Sequence, residues 1–174
     1  MDGELYERLS EVLEYPGPLL AERVTACIAR LGPRHAAARG VREFAQFVES
    51  APLAKLQESY TAAFDLDPSC SPHVGYRLLG PDPRRGMFLA RLAARYRARG
   101  FSAGRELPDH LTVLLKFLAH APDEPDRGEL VGECLAPALS SLARELRRRN
   151  HPYAPLVETT QLVLEADAQG ERSR

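Results

Sequence analysis

Isoleucine occurs once, no stretch alternates apolar and polar residues over strand length, and no Asn-Gly pair marks a hairpin, so a β-rich fold is excluded. No uninterrupted apolar run reaches membrane-spanning length, and the N-terminal stretch MDGELYERLSEVLEYPG carries acids where a signal peptide carries bases. The chain is therefore expected in the cytoplasm, without direct membrane insertion. Three cysteines, Cys27, Cys70 and Cys134, lie far apart with no CxxC and no Cys/His cluster, which argues against a zinc site or a disulfide framework and fits a reducing compartment. There is no glycine-rich phosphate loop, no HExxH and no nucleophile elbow around Ser69 or Ser71, while Asp65 and Asp67 lack the further carboxylates and the glycine spacing of a calcium loop. A formal net charge of -1 supplies no global attraction to nucleic acid.

What the chain does have is leucine at helical spacing. With 44% hydrophobic and 27% charged residues it is a chain that folds by itself, and 174 residues suit one domain. The pattern predicts a single all-α domain over 1–168, a helical bundle of about seven to nine helices, followed by a polar tail at 169–174. Leu5, Leu9, Val12 and Leu13 share one face and stop at Tyr15-Pro16-Gly17-Pro18; Leu19, Leu20, Val24, Ile28 and Leu31 repeat the spacing as far as Gly32-Pro33, with Cys27 as core packing. Val41, Phe44, Ala45 and Val48 mark a third helix, and Leu53, Leu56, Tyr60, Ala63 and Phe64 a fourth. After Pro83 the next helix buries Met87, Phe88, Leu89, Leu92, Ala93 and Tyr96. A helix over 126–149 carries Pro137, which must kink or split it, and Leu156, Val157, Thr160, Leu162, Val163 and Leu164 mark the last.

The densest apolar stretch is ELPDHLTVLLKFLAH, Glu106 to His120, which predicts a central helix with Pro108 in its first turn and Asp109 at the positive end of the helix dipole. Leu111, Leu114 and Leu118 belong in the core; Asp109, Thr112, Lys116 and His120 share the remaining narrow face, with Asp109 and His110 at the mouth of the core. Asp109-His110 has the chemistry of an acid-base or metal pair, and a small helical metal-dependent hydrolase is one reading of it; adjacent helical residues do not face each other, however, so a capping acid beside a half-buried histidine is the plainer one. Arg91, Arg95 and Arg99 recur along one face of the basic stretch Arg84–Arg105, and the acids from Glu106 to Glu133 follow it, a sign asymmetry suited to orienting a charged peptide; a nucleic-acid adaptor is the alternative there. Asp65 to Pro83 holds four prolines and reads as a long shaped loop with one short turn, of the kind that borders a binding site.

Tyr60-x-x-x-Phe64-Asp65-Leu66, Pro68-Ser69-Cys70-Ser71, Arg85-Gly86-Met87, Glu106-Leu107-Pro108-Asp109-His110-Leu111 and Leu115-x-Phe117-Leu118-Ala119, in that order and spacing, resemble the delta subunit of respiratory nitrate reductase, the NarJ-type chaperones within the wider redox-enzyme maturation group related to the trimethylamine oxide reductase chaperone (TorD-like). The resemblance covers chiefly Tyr60 to Ala119. It implies a TorD/NarJ-like all-helical chaperone, not an enzyme, that binds the N-terminal peptide of the catalytic (alpha) subunit of a molybdoenzyme, with nitrate reductase foremost, and permits molybdenum cofactor insertion before membrane attachment. It implies no permanently bound cofactor, no metal and no nucleic acid, and a monomer or weak dimer. With the role taken from the resemblance, the client-binding set is Tyr60, Phe64, Asp65, Ser69, Tyr76 and Arg85, together with Leu107, Asp109, His110 and Leu114. Tyr60 and Phe64 are expected inside the pocket and Asp109 at its rim as a salt-screened charge, while protonation of His110 is expected to weaken client binding as pH drops through the histidine range.

Overall fold

The computed structural model describes residues 3–32 and 35–172, with side chains as far as Ala168. Among the described residues every regular element is helical, and the one β-type pairing is an isolated antiparallel bridge between His73 and His110. The helices begin with α1 (Gly3–Val12), α2 (Leu20–Leu31) and α3 (Ala38–Ser50), each with its apolar residues on one face; α3, for example, buries Ala38, Val41, Phe44 and Val48. Next, α4 (Leu53–Tyr60) runs on into a π turn at Thr61–Asp65, a 3-10 turn follows at Pro68–Cys70, and α5 (Val74–Leu79) and α6 (Arg84–Ala98) precede α7 (Leu111–His120). The short α8 (Arg127–Glu129), a π segment at Leu130–Leu135 and α9 (Ala136–Arg148) form one rod, and α10 (Ala154–Arg172) closes the described chain. Counted as rods these are nine helices, within the expected range.

The strongest packing runs as a chain of neighbours: α7 lies on α1, α1 on α2, α2 on α3, α3 on α10, α10 on α9, and α9 on α5, which also meets α6. Sequence neighbours α6 and α7 are joined instead by aromatic rings, with Tyr96 and Phe101 both packed on Phe117 at 4.6 and 5.5 Å. As the apolar pattern requires, α7 is covered nearly all round: Leu114, Leu115, Phe117 and Leu118 have no exposed surface. Cys27 is core, and burial pushes its thiol up to about 12. No helix of the described residues is long and apolar enough to cross a membrane.

Several expectations change in the fold. The central helix starts at Leu111 and not at Glu106, because Leu107-Pro108-Asp109-His110 is a turn closed by His110 N–H to Leu107 O at 3.0 Å, with proline at the position where a turn favours it. His110 is the N-cap: its backbone is extended, its carbonyl accepts from Leu114 N–H at 3.1 Å, and its Nδ1 accepts from Thr112 N–H at 3.3 Å. Thr112, expected on the open face, is buried with its hydroxyl 2.7 Å from His110 Nδ1. Met87, Leu19 and Leu162, read as core, are exposed. Pro137 does not split its rod: it falls in the first turn of α9 just after the wider winding of the π segment, where its missing donor is tolerated. The helix stop at Gly32 has φ 80, the left-handed region that favours glycine, while Pro33 lies outside the described residues, as do the side chains of the expected tail at 169–174.

Candidate functional site

A cleft of about 1030 Å³ opens between the α1–α2 connector, the end of α4 with its π turn, the 66–73 segment, and the N-terminal part of α7. The π turn carries Phe64 inward beside Tyr60, with ring centroids 4.8 Å apart, and behind them Tyr153 packs edge-on against Phe64 at 5.1 Å and beside Phe44 at 4.6 Å. Tyr60 and Phe64 are therefore a wall, 5% and 7% exposed, and part of a buried aromatic stack. In front of them Tyr15 stands edge-on to Tyr60 at 5.4 Å and is 51% exposed. The connector that carries Tyr15 is held by Tyr60 Oη donating to Leu13 O at 3.4 Å and by Gln57 Nε2 donating to Pro16 O at 3.0 Å.

The opposite side is built on a carboxylate. Asp109 has no exposed surface; it accepts from Arg85 Nε at 3.0 Å and Arg85 Nη2 at 3.3 Å, and its Oδ1 lies 3.1 Å from His73 Nδ1. Burial alone would raise its pKa, but the hydrogen bonds from His73 and Arg85 outweigh this and hold the carboxyl below its ordinary value. Two backbone bonds, Val74 N–H to Asp109 O at 2.8 Å and Leu111 N–H to Pro72 O at 3.0 Å, fasten the start of α5 to the start of α7. Gly75 makes that approach possible, since a Cβ there would stand 2.8 Å from Asp109 Oδ2 and from the Phe88 ring. Asp109 is thus not a rim charge, as its place in the sequence suggests, but the buried centre of an ion cluster whose outer members, Arg85 and His73, line the cleft.

His110 lines the cleft floor at 8% exposure, and burial pushes its pKa down to about 4, with His73 adding to the shift. It is a neutral group through the ordinary histidine range, which removes the expected protonation effect on binding. The Asp109 carboxylate bonds to Arg85 and His73 and the His110 ring to Thr112, so the two neighbours do not form the acid-base dyad that a hydrolase would need. Among the described residues no group of three His, Cys, Asp or Glu side chains could hold a metal ion.

Of the residues proposed from sequence, Tyr60, Phe64, Asp65, Tyr76, Arg85 and His110 line the cleft. Asp109 lies behind it, Leu114 is fully buried in α7 and reaches no cleft surface, and Leu107 is 45% exposed but not part of the lining. Ser69 also lies outside the lining, where its hydroxyl donates to Asp67 Oδ1 at 2.8 Å and accepts from Arg149 Nη2 at 2.7 Å. Cleft residues that sequence reasoning did not single out are Glu14 and Tyr15, hidden in what reads as a helix stop, and Lys116, His73 and Phe101. Asp65 and Glu106 are exposed at the cleft and carry no ion pair among the described residues; with Glu14 they act on one phenol, Tyr60, whose pKa is raised by burial first and then by these three acids.

The arginine stretch folds against its own acids. Arg84 pairs with Asp82 at 2.9 Å, Arg95 with Asp126 at 2.8 Å, and Arg99 with Asp123 and Glu124 at 3.4 and 2.9 Å. Two of the three arginines of the expected face, Arg95 and Arg99, are thus paired with acids of the same chain while Arg91 stays exposed, which weakens the feature that favoured a nucleic-acid adaptor.

The family model for the nitrate reductase delta subunit matches residues 34–158. The chain is 28% identical over 151 residues to a protein of Escherichia coli K12 assigned as the nitrate reductase molybdenum cofactor assembly chaperone NarW, covering 84% of this chain and 62% of that one. It is 29% identical over 157 residues to the same organism's nitrate reductase molybdenum cofactor assembly chaperone NarJ, covering 86% and 65%. The chain thus spans a little under two thirds of these two relatives. A Bacillus subtilis protein assigned as the NarJ chaperone is 29% identical over 164 residues, covering 92% of this chain and 88% of that one. The crystal structure of a protein from Archaeoglobus fulgidus assigned to redox enzyme maturation superposes with a TM-score of 0.65 at 23% identity over 95% of this chain and 94% of that one, a likeness of fold.

Proposed function

The chain belongs to the nitrate reductase delta subunit family, and from that premise we propose that it is an assembly chaperone for a molybdenum-containing nitrate reductase. It holds the N-terminal segment of the catalytic subunit in the cleft until the molybdenum cofactor is inserted and membrane attachment is safe. It works in the cytoplasm as a monomer or weak dimer, keeps no cofactor, and acts by occupancy, so release follows from a competing event and not from a chemical step.

The observation that carries this reading is the make-up of the cleft: one wall of aromatic rings, faced by the exposed Tyr15, under a mouth where Asp65 and Glu106 have no ion partner among the described residues. A partly apolar, basic peptide suits such a surface, its apolar side chains against the rings and its cations at the carboxylates. Co-expression tests it. A catalytic subunit with its N-terminal segment co-purifies with the chain, and the same subunit lacking that segment does not; equal recovery of both would place recognition elsewhere.

A further inference from the structure

Two cations line the cleft, and both are engaged. Arg85 is held on the buried Asp109. Lys116, on α7, donates its ammonium to Glu14 Oε1 and is 41% exposed beside a 30% exposed partner. The other oxygen of that carboxylate, Glu14 Oε2, is fixed from outside by Arg23 Nη1 at 2.8 Å. Glu14 therefore keeps its place without Lys116, and so does its connector, which is tied separately through Leu13, Tyr15 and Pro16. Glu14 is anchored independently of the pair, so the direct effect of Lys116 on the cleft is to occupy a carboxylate.

That carboxylate lines the same cleft as Asp65 and Glu106, the two acids there with no ion partner among the described residues. We propose that Lys116 is a resident competitor: its ammonium sits on the Glu14 oxygen that a lysine or arginine of the client takes, so that the cleft selects a segment whose cations are spaced to reach Asp65, Glu106 and Glu14 together. A client cation that takes Glu14 frees Lys116 to water, which its long flexible stem allows. A peptide with one cation is left with the open acids, while a peptide of the right spacing gains the third. Lys116 is thus a specificity-determining residue: it sets a cost on any ligand whose cation takes Glu14, and a segment that also reaches Asp65 and Glu106 offsets that cost while a lone cation does not displace it. This rests on the peptide-binding reading of the cleft.

Lys116→Met keeps the stem and removes the charge. Binding of two probes to the intact protein tests the idea: a peptide copying the N-terminal segment of a candidate catalytic subunit, and a short fluorescent peptide of alternating arginine and leucine. The variant binds both cationic probes roughly two- to fivefold tighter than the wild type, the scale of one partly exposed ion pair, and the gain shrinks as salt is raised. It binds the glutamine-for-arginine version of the second probe no tighter, Glu14→Gln weakens both cationic probes, and the melting temperature of each variant stays near that of the wild type. Unchanged or weaker binding of the cationic probes by Lys116→Met overturns the proposal, as does binding of neither probe by either protein. If the arginine–leucine probe behaves as described but the subunit peptide does not bind at all, the competitor stands and the chaperone reading of the cleft falls.

Discussion

Asp109 illustrates how far one buried charge reaches. Removing a single partner of a buried, hydrogen-bonded ion pair typically costs about 3–5 kcal/mol, because the remaining charge is left desolvated. Asp109→Ala should destabilise the protein on that scale in denaturant unfolding and loosen the joint between α5 and α7, where a screened rim charge would have had a small effect. His110 contributes a pH dependence of defined sign. Its folded pKa of about 4 lies below its ordinary 6.5, so between these values the unfolded chain binds the proton that the native protein refuses, and stability falls as pH drops through that window. The loss should be on the order of 2 kcal/mol between about pH 7 and about pH 5, read from urea midpoints. His110→Asn, which can still cap α7, should flatten that part of the profile; an equally steep profile would mean that another group titrates there. Leu114→Ala, at a position with no exposed surface, should cost about 2–5 kcal/mol through lost burial and a residual cavity.

The elements of the cleft differ in what they contribute. Phe64→Ala would remove a ring packed on Tyr60 and Tyr153, so it lowers stability as well as binding and cannot separate the two. Tyr15 is the cleaner probe, being half-exposed on a connector: Tyr15→Ala should weaken client peptide binding by roughly 1–3 kcal/mol while the melting temperature hardly moves. The segment from Asp65 to Pro83 is better organised than its prolines suggested. It holds a 3-10 turn and α5; Arg77 braces it internally by donating to Ser69 O at 2.8 Å and ties it to α9 by donating to Ala138 O at 3.0 Å and Ser141 Oγ at 2.7 Å. Client-induced protection in hydrogen exchange is therefore expected to be greatest not there but in the 101–106 connector, which has no regular structure and borders the cleft. Helix positions and most core leucines were legible in the sequence because periodicity is a local signal, and α1, α3 and the rod ending in α9 follow it closely. The fate of Asp109 was not, since its burial depends on Arg85 and His73 arriving from other parts of the chain. Nor was the role of Glu14 and Tyr15, which sit in a proline-marked helix stop whose position over Tyr60 is set by contacts made only in the folded chain.

At the scale of the whole molecule, many charges are paired within the fold: Arg95 of α6 and Arg99 just after it meet the acids of the 123–126 segment, and Arg149 meets Asp67. At the cleft the open charge is local, two carboxylates over an aromatic wall with no ion pair among the described residues, and recognition of a basic segment should depend on that small area and not on net charge. Family membership supports the chaperone role, and the cleft is the place we propose for it. Calorimetric titration of the intact protein with the N-terminal peptide of the candidate catalytic subunit, run beside the Asp65→Asn/Glu106→Gln double variant, tests this claim most directly. The wild type should bind the peptide with a salt-dependent affinity and the double variant should bind it several-fold more weakly at low salt, the difference closing as salt screens the pair. Equal affinities at low salt would contradict the site, and absence of binding by the wild type would contradict the client-holding role itself.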